Sequence, residues 1–385
     1  MRARLKLAVE GWRSLSHSYA VVNQWQLLSL ARRQDIALRV RDLAFSSPYW
    51  REQPGLFCES DAFVLREIEK VQPDFSPDAT WRLGFPYDLR PAPTGRTLVF
   101  GTAEYRVVPK SFLAAHSMLE AAVADPSVSI TTPSHWSAEG FRRLGFEAAR
   151  IAVIPHGIDP SLFRPRPEVR AEMRRQLGVS GFVFMSVGAM SGNKGMDALL
   201  KAFAAVAERR GDVWLVLKGS DHLYRSRQLL QQTLNALTRA EADRIVRRLV
   251  YGGEPLSMSK MSALYQAADA YVSPYRAEGF NLPVLEAAAC GVPIICTSGG
   301  ATDDFTAESF AWRIDSRLRN VRMEGEVGDY LEPAVEHLID LMDRIVDDEG
   351  FRAVAAIDGP RHAAEHFAWD RVTERAMTIL SSQLN

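Results

Sequence analysis

Along the chain, short continuous apolar runs alternate with longer stretches whose apolar positions recur every three to four residues. "LKLAVEG" (5–11) reads as a strand, "AVVNQWQLLSLARR" (20–33) as a helix and "IALRVRD" (36–42) as a second strand. Residues 46–95 break the rhythm, being rich in proline, with "AFVLREIEKV" (62–71) as a short helical or strand segment of undecided type. The alternation resumes with "RTLVFGTAEY" (96–105) as a buried strand. "SVSITTPSHWSAEGFRRLGF" (127–146) is a strand, a turn and a helix, with Ser134 or Ser137 as N-cap and Gly145 as the stop. "RIAVIPHGID" (150–159) is a further apolar run, and "FRPRPEVR" (163–170) looks like an interdomain linker.

Beyond it the alternation starts again: strands "FVFMSVGA", "VWLVLKG", "RLVYGG", "DAYVSPY" and "GVPIICTSGG", separated by helical patterns such as "GMDALLKAFAAVAERRG". Continuous apolar strands separated by helices of ten residues or more imply parallel sheets covered on both faces. Two such series in 385 residues imply two Rossmann-like α/β domains, whose ligands bind outside the carboxyl ends of the strands.

Composition narrows the function classes. Lys and Arg number 46 against 47 Asp and Glu, so charge makes no case for a dedicated nucleic-acid protein. Cys58, Cys290 and Cys296 have neither metal spacing nor the even count of a disulfide framework, which suits a reducing compartment. No run approaches the roughly 20 apolar residues that span a bilayer. A cytoplasmic location is expected, with peripheral membrane contact left open.

The stretch "AEGFNLPVLEAAACG" (277–291) carries the candidate chemistry. It follows the strand "DAYVSPY"; Asn281 is placed as an N-cap, Pro283 in the first turn, and Gly291 as the stop. The helix amino end then faces the crevice as an anion site, with Glu278 on the loop before it and Glu286 within reach of the same pocket. Residue chemistry alone leaves a bland alternative, a glycine-containing loop and a capping glutamate. "GAMSGNKG" (188–195) is not a P-loop, because its glycine spacing is one short and Gly195 stands where Ser or Thr would hold magnesium.

"EGFNLPVLEAAACGVPII" resembles the E-x7-E signature of retaining glycosyltransferases of the GT-B fold, especially glycosyltransferase family 4. The similarity extends through "TTPSHWSAEGFRRLGF", "IPHGID", "SVGAMSGNKGMDALLKAF" and "HFAWDRV", most of residues 125–380. It implies two Rossmann-like domains facing a cleft. Residues 1–163, joined by the last helix at 366–385, would take the acceptor, and residues 164–365 the nucleotide sugar. Glu286 would accept the ribose hydroxyls, and the amides of Gly279, Phe280, Asn281 and Leu282 would hold sugar hydroxyls and phosphate. Glu278 would bind the donor sugar and steady charge at its anomeric carbon. Lys194 would stabilise the leaving diphosphate. Gly188 would let the backbone approach the donor, and Gly252 and Gly253 would sit against the base.

With Lys194 and helix ends available, no metal and no cofactor are expected, the acid pairs at 303–304 and 347–348 being read as surface or capping groups. The donor would be a UDP- or GDP-linked sugar, and the acceptor a glycan, lipid-linked or protein group. The family pattern has Arg directly after the glycine ending the strand, and here that position is Ala189. Either Lys194 and the helix ends suffice, or another cation such as Arg276 swings in, or activity is weakened or lost. On the acceptor side, Glu104 and Tyr105 stand where many members carry histidine, and Ser16, His17, Ser18, Tyr19 and Asn23 follow the first strand. His135 and His156 are read as shaping the backbone. Two alternatives stay open: a nucleotide-sugar 2-epimerase of GT-B fold, and a non-catalytic nucleotide-sugar-binding protein.

Overall fold

In a computed structural model, which describes residues 4–114 and 118–384, the chain divides into two compact units. The first comprises residues 1–157, 320–328 and 367–385; the second comprises 158–319 and 329–366.

The first unit is built on a parallel sheet of β1 (Leu5–Gly11), β2 (Ile36–Asp42), β3 (Ala79–Leu83), β4 (Arg96–Phe100), β5 (Val128–Thr132) and β6 (Ile151–Val153), in the order β2-β1-β3-β4-β5-β6. The central strand β3 lies inside the proline-rich region to which the periodicity assigns no strand. Its "ATWRL" is short and carries Arg82, whose guanidinium is accommodated by an ion pair with buried Glu10 on β1, 2.9 Å away. An arginine within an apolar run hides a strand unless its partner, here 72 residues away, is known. The helix Ser18–Ala31 is buried along most of its length. The helix Trp369–Leu384 packs on it, with the Ser29 hydroxyl donating to Asp370 at 2.6 Å.

The second unit carries β7 (Phe182–Val187), β8 (Val213–Lys218), β9 (Leu249–Gly252), β10 (Ala270–Ser273), β11 (Ile294–Thr297) and β12 (Ala311–Ile314). Their order, β12-β11-β10-β7-β8-β9, is all parallel and is the 3-2-1-4-5-6 arrangement of a doubly wound sheet read from its other edge. Phe184, Leu215, Leu217 and Val272 point to one face, against the helices Met196–Arg209 and Val335–Asp347. Tyr271 points to the other, towards Tyr265 of the helix Met258–Tyr265. A two-stranded ribbon, β13 (Ser316–Met323) and β14 (Glu326–Pro333), follows β12. Residues 163–170 are packed structure: Phe163 is buried against Tyr265, and Pro167 opens the helix Pro167–Leu177.

The fold class is therefore that of the sequence reading: two parallel-sheet, Rossmann-like α/β units. No described helix is long and apolar enough to cross a membrane.

Candidate functional site

In the second sheet the strand order reverses between β7 and β10, the first and fourth strands of that unit. Chains leaving these two strands diverge to opposite faces, opening a crevice at their carboxyl ends. Lys194 follows β7, and Glu278 and Asn281 follow β10, so strand topology alone brings together groups 84 residues apart.

Their side chains meet. The Lys194 ammonium donates to Glu278 Oε1 at 2.5 Å, with Glu278 only 5% exposed. Two features hold the lysine loop against the glutamate loop. Gly195 has φ +67°, and a Cβ there would lie 1.8 Å from the Pro274 carbonyl oxygen, so only glycine lets the loops approach this closely. Arg276 does the rest. Its amide donates to the Asn193 carbonyl at 2.7 Å, while its guanidinium grips Asp197 at 2.6 and 2.9 Å and Glu332 at 2.8 Å. Arg276, considered above as a replacement cation for the position held by Ala189, is thus engaged by two carboxylates as a clamp.

The helix after β10 runs Leu282–Ala289, with the left-handed Gly291 (φ +78°) beyond its end. Asn281 occupies the N-cap position but does not cap. Its backbone is itself left-handed (φ +78°), and its side chain turns back to donate to the Ser273 hydroxyl at 2.8 Å. A strand-end serine has taken the group that the local pattern assigns to the helix, leaving the amino end uncapped by its own sequence. Phe280 points away, stacked on Phe305 at 4.4 Å.

Glu286 lies on this helix, buried, and accepts a hydrogen bond from the Tyr265 hydroxyl at 2.7 Å. Burial pushes its carboxyl up to about 7, opposed by the tyrosine. Nothing in the spacing of residues 265 and 286 announces Tyr265 as a partner, because helix-to-helix packing brings the two together.

Gly188 closes β7 beneath the Lys194 side chain, whose Cγ lies 3.5 Å from where a Cβ would stand. Gly253 is buried against the Asp221 carboxylate, 1.8 Å from a Cβ position, whereas Gly252 is exposed with only Lys218 Cδ within 4 Å. Asp303 accepts from the Gly299 amide at 2.8 Å and pairs with Arg313, Asp347 pairs with Arg210, and Asp348 accepts from the Phe351 amide.

In the first unit, His17 caps the helix Ser18–Ala31, its Nδ1 accepting from the Tyr19 amide at 3.2 Å, and its ring lies against Trp50. Tyr19 is buried, its hydroxyl 2.8 Å from that of Tyr87 and 3.0 Å from Thr102 Oγ1. Asn23 is buried too, donating to the Trp12 carbonyl at 2.9 Å. Glu104 and Tyr105 are half-buried in a turn after β4, and the Glu104 carbonyl accepts from the Trp136 indole at 2.7 Å. His156 is buried against Phe100, and burial pushes its pKa down to about 3, so it is neutral.

Comparison with known proteins bears on the second unit most directly. Residues 181–311 match the family model described as glycosyl transferases group 1. A D-inositol 3-phosphate glycosyltransferase of Acidothermus cellulolyticus is 27% identical over 244 residues, 62% of this chain and 50% of that protein. A GDP-mannose-dependent monoacylated alpha-(1-6)-phosphatidylinositol monomannoside mannosyltransferase of Corynebacterium glutamicum is 29% identical over 241 residues, 60% of this chain and 56% of that protein. The matched part thus spans about half the length of these curated relatives. Among solved structures, HepE of Anabaena, in complex with UDP and glucose, superposes with a TM-score of 0.70 at 16% identity, covering 98% of this chain and all of the other. The fold is GT-B, and the group 1 glycosyl transferase match covers most of the second sheet.

Proposed function

We propose that this protein is a glycosyltransferase whose second unit binds a nucleotide-sugar donor, UDP- or GDP-linked, and whose first unit takes a glycan, lipid-linked or protein acceptor. The observation carrying this reading is the Lys194–Glu278 pair beside an uncapped helix amino end at the strand-order switch, with Glu286 buried on the same helix. Such a site answers the needs of a leaving diphosphate: a cation, helix N–H groups and the positive end of a dipole. The resemblance to an enzyme named as GDP-mannose-dependent supports the donor class.

In this reading the transfer is retaining. The anomeric C–O bond to the diphosphate breaks, a bond to the acceptor oxygen forms on the same face, and the acceptor proton passes to a phosphate oxygen. Lys194 stabilises the departing phosphate, Glu278 steadies the cationic sugar, and Glu286 accepts the ribose hydroxyls. The amides of residues 279–282 hold sugar hydroxyls and phosphate. Glu104, Tyr105, His17 and Tyr19 belong to the acceptor side, Tyr19 and His17 through the shape they impose. The reaction runs without a metal or a resident cofactor, because the charge that a metal would neutralise falls to Lys194 and the helix end. Substrates and products are those of cytoplasmic glycan assembly.

The test is calorimetry and thermal shift with UDP, GDP, dTDP and their common sugars, on wild type and Glu286→Ala. Stabilisation of the wild type by one nucleotide sugar, lost in Glu286→Ala, supports the assignment. No binding by any of them overturns it. Binding without turnover across several acceptors would instead favour a nucleotide-sugar-binding protein that has lost its chemistry at Ala189.

A further inference from the structure

Lys218 ends β8 and is 8% exposed. Among the described residues its ammonium has one hydrogen-bond acceptor, the carbonyl of the adjacent Gly219. The acids acting on it from a distance are Asp221 and Glu254, and among the described residues none forms an ion pair with it. Asp221 is committed elsewhere, accepting from the Tyr251 hydroxyl at 2.6 Å and the Arg227 amide at 2.7 Å. Burial pushes the lysine down to about 8. A buried cation compensated by one neutral carbonyl costs stability that a methionine of similar length would not. The fold has no use for this charge.

Its place in the sheet suggests a use. Stepping outward from the switch point, the loop after β10 carries Glu278, the loop after β7 carries Lys194, β8 ends in Lys218 and β9 ends in Gly252, the strands themselves lying ~4.8 Å apart. In register, Lys218 pairs with Val187 of β7 and with Gly252 of β9. Its side chain runs towards β9, since Cδ lies 3.9 Å from where a Gly252 Cβ would be, with open space above that exposed glycine. The lysine therefore stands one strand beyond the phosphate-binding lysine, on the side away from the sugar-binding glutamate, and borders a bare stretch of backbone.

Resting on the donor-binding reading above, we propose that Lys218 reads the nucleotide base. Its ammonium donates to the carbonyl oxygen at C4 of uracil or C6 of guanine, so the site takes these bases and disfavours cytosine and adenine, which carry an amino group at that position. An ammonium has three donors and no acceptor, and facing an amino group it would be left with a donor against a donor. Gly252, without a side chain, leaves room for the ring.

The experiment is calorimetric titration of UDP, GDP, CDP and ADP into wild type, Lys218→Met and Glu286→Ala, with melting temperatures alongside. Wild type is expected to bind UDP or GDP about ten-fold or more tighter than CDP and ADP, the worth of one hydrogen bond to a charged group. Lys218→Met is expected to remain folded and to narrow that preference to about three-fold or less, largely by losing affinity for the carbonyl-bearing base. Glu286→Ala is expected to weaken all four and keep the preference. An undiminished preference in Lys218→Met, or an equal loss for all four, overturns base reading while donor binding stands. If wild type binds none of the four, donor binding itself falls, and base reading with it.

Discussion

The Tyr265 hydroxyl donates to the Glu286 carboxylate at 2.7 Å, and both groups are buried. Burial nevertheless dominates, keeping the carboxyl near pKa 7, where an ordinary glutamate is near 4.5. The folded state thus holds a proton that the unfolded chain releases. The stabilisation is complete below the ordinary value and is lost as pH rises through about 7. Relative to Glu286→Gln, wild type is expected to lose about 3 kcal/mol between pH 4.5 and 8, read from urea unfolding of both proteins at each pH.

The same proton reports on the ligand. Ribose hydroxyls donating to Glu286 favour its ionised form, so nucleotide binding near pH 7 should release about half a proton. Titrations in buffers of different ionisation enthalpy measure this directly. Equal enthalpies in all buffers would remove Glu286 from the ribose contact.

Arg276 is the clamp between the loops bearing Lys194 and Glu278. Replacing it by Ala leaves Asp197 and Glu332, both partly exposed, without their partner, at an expected cost of about 1–2 kcal/mol. Nucleoside-diphosphate affinity should fall with it, because the loop that positions Lys194 loses its side-chain tether, while the backbone bond from residue 276 to Asn193 remains. Arg276→Lys should not restore either property, since one ammonium cannot engage two carboxylates through a planar fork. Melting temperature and affinity, measured together, decide the case.

Gly195→Ala tests the close approach itself. The left-handed φ and the 1.8 Å encounter with the Pro274 carbonyl require the backbone to move, at a cost of about 2 kcal/mol or more. Donor binding should be weakened more than the overall fold, which thermal shift with and without UDP or GDP resolves.

In the proposed reading the Lys194–Glu278 pair divides by function. Lys194→Ala is expected to lower turnover by about 10²–10³-fold, the scale for removing one group that stabilises developing charge. Glu278→Gln should keep nucleoside-diphosphate affinity while turnover falls, because in the proposed reading this carboxylate steadies the sugar rather than the phosphate. Binding and rate measured on the same preparations separate the two; a Glu278→Gln protein with full turnover would remove that residue from the chemistry.

Periodicity and turn chemistry alone establish the α/β class and most strands of both sheets, and place the stretch 277–291 as a loop and helix directly after a strand. Each of these rests on residues close in sequence: an apolar run, a turn-forming glycine, a proline in a first helical turn. Partners distant in the chain were invisible to that reading. Strand β3 was hidden by Arg82, whose charge is answered by Glu10 on a neighbouring strand. Asn281 looked like a helix cap until Ser273 claimed its side chain. Arg276 looked available until Asp197 and Glu332 closed on it. Tyr265 beside Glu286, and the unanswered charge of Lys218, exist only once helices and strands are packed. Local pattern determines which elements form and which residue types they carry. Which charges are neutralised, which hydrogen bonds are already spent and which groups remain to meet a ligand are decided by packing across sequence distances that no local pattern encodes.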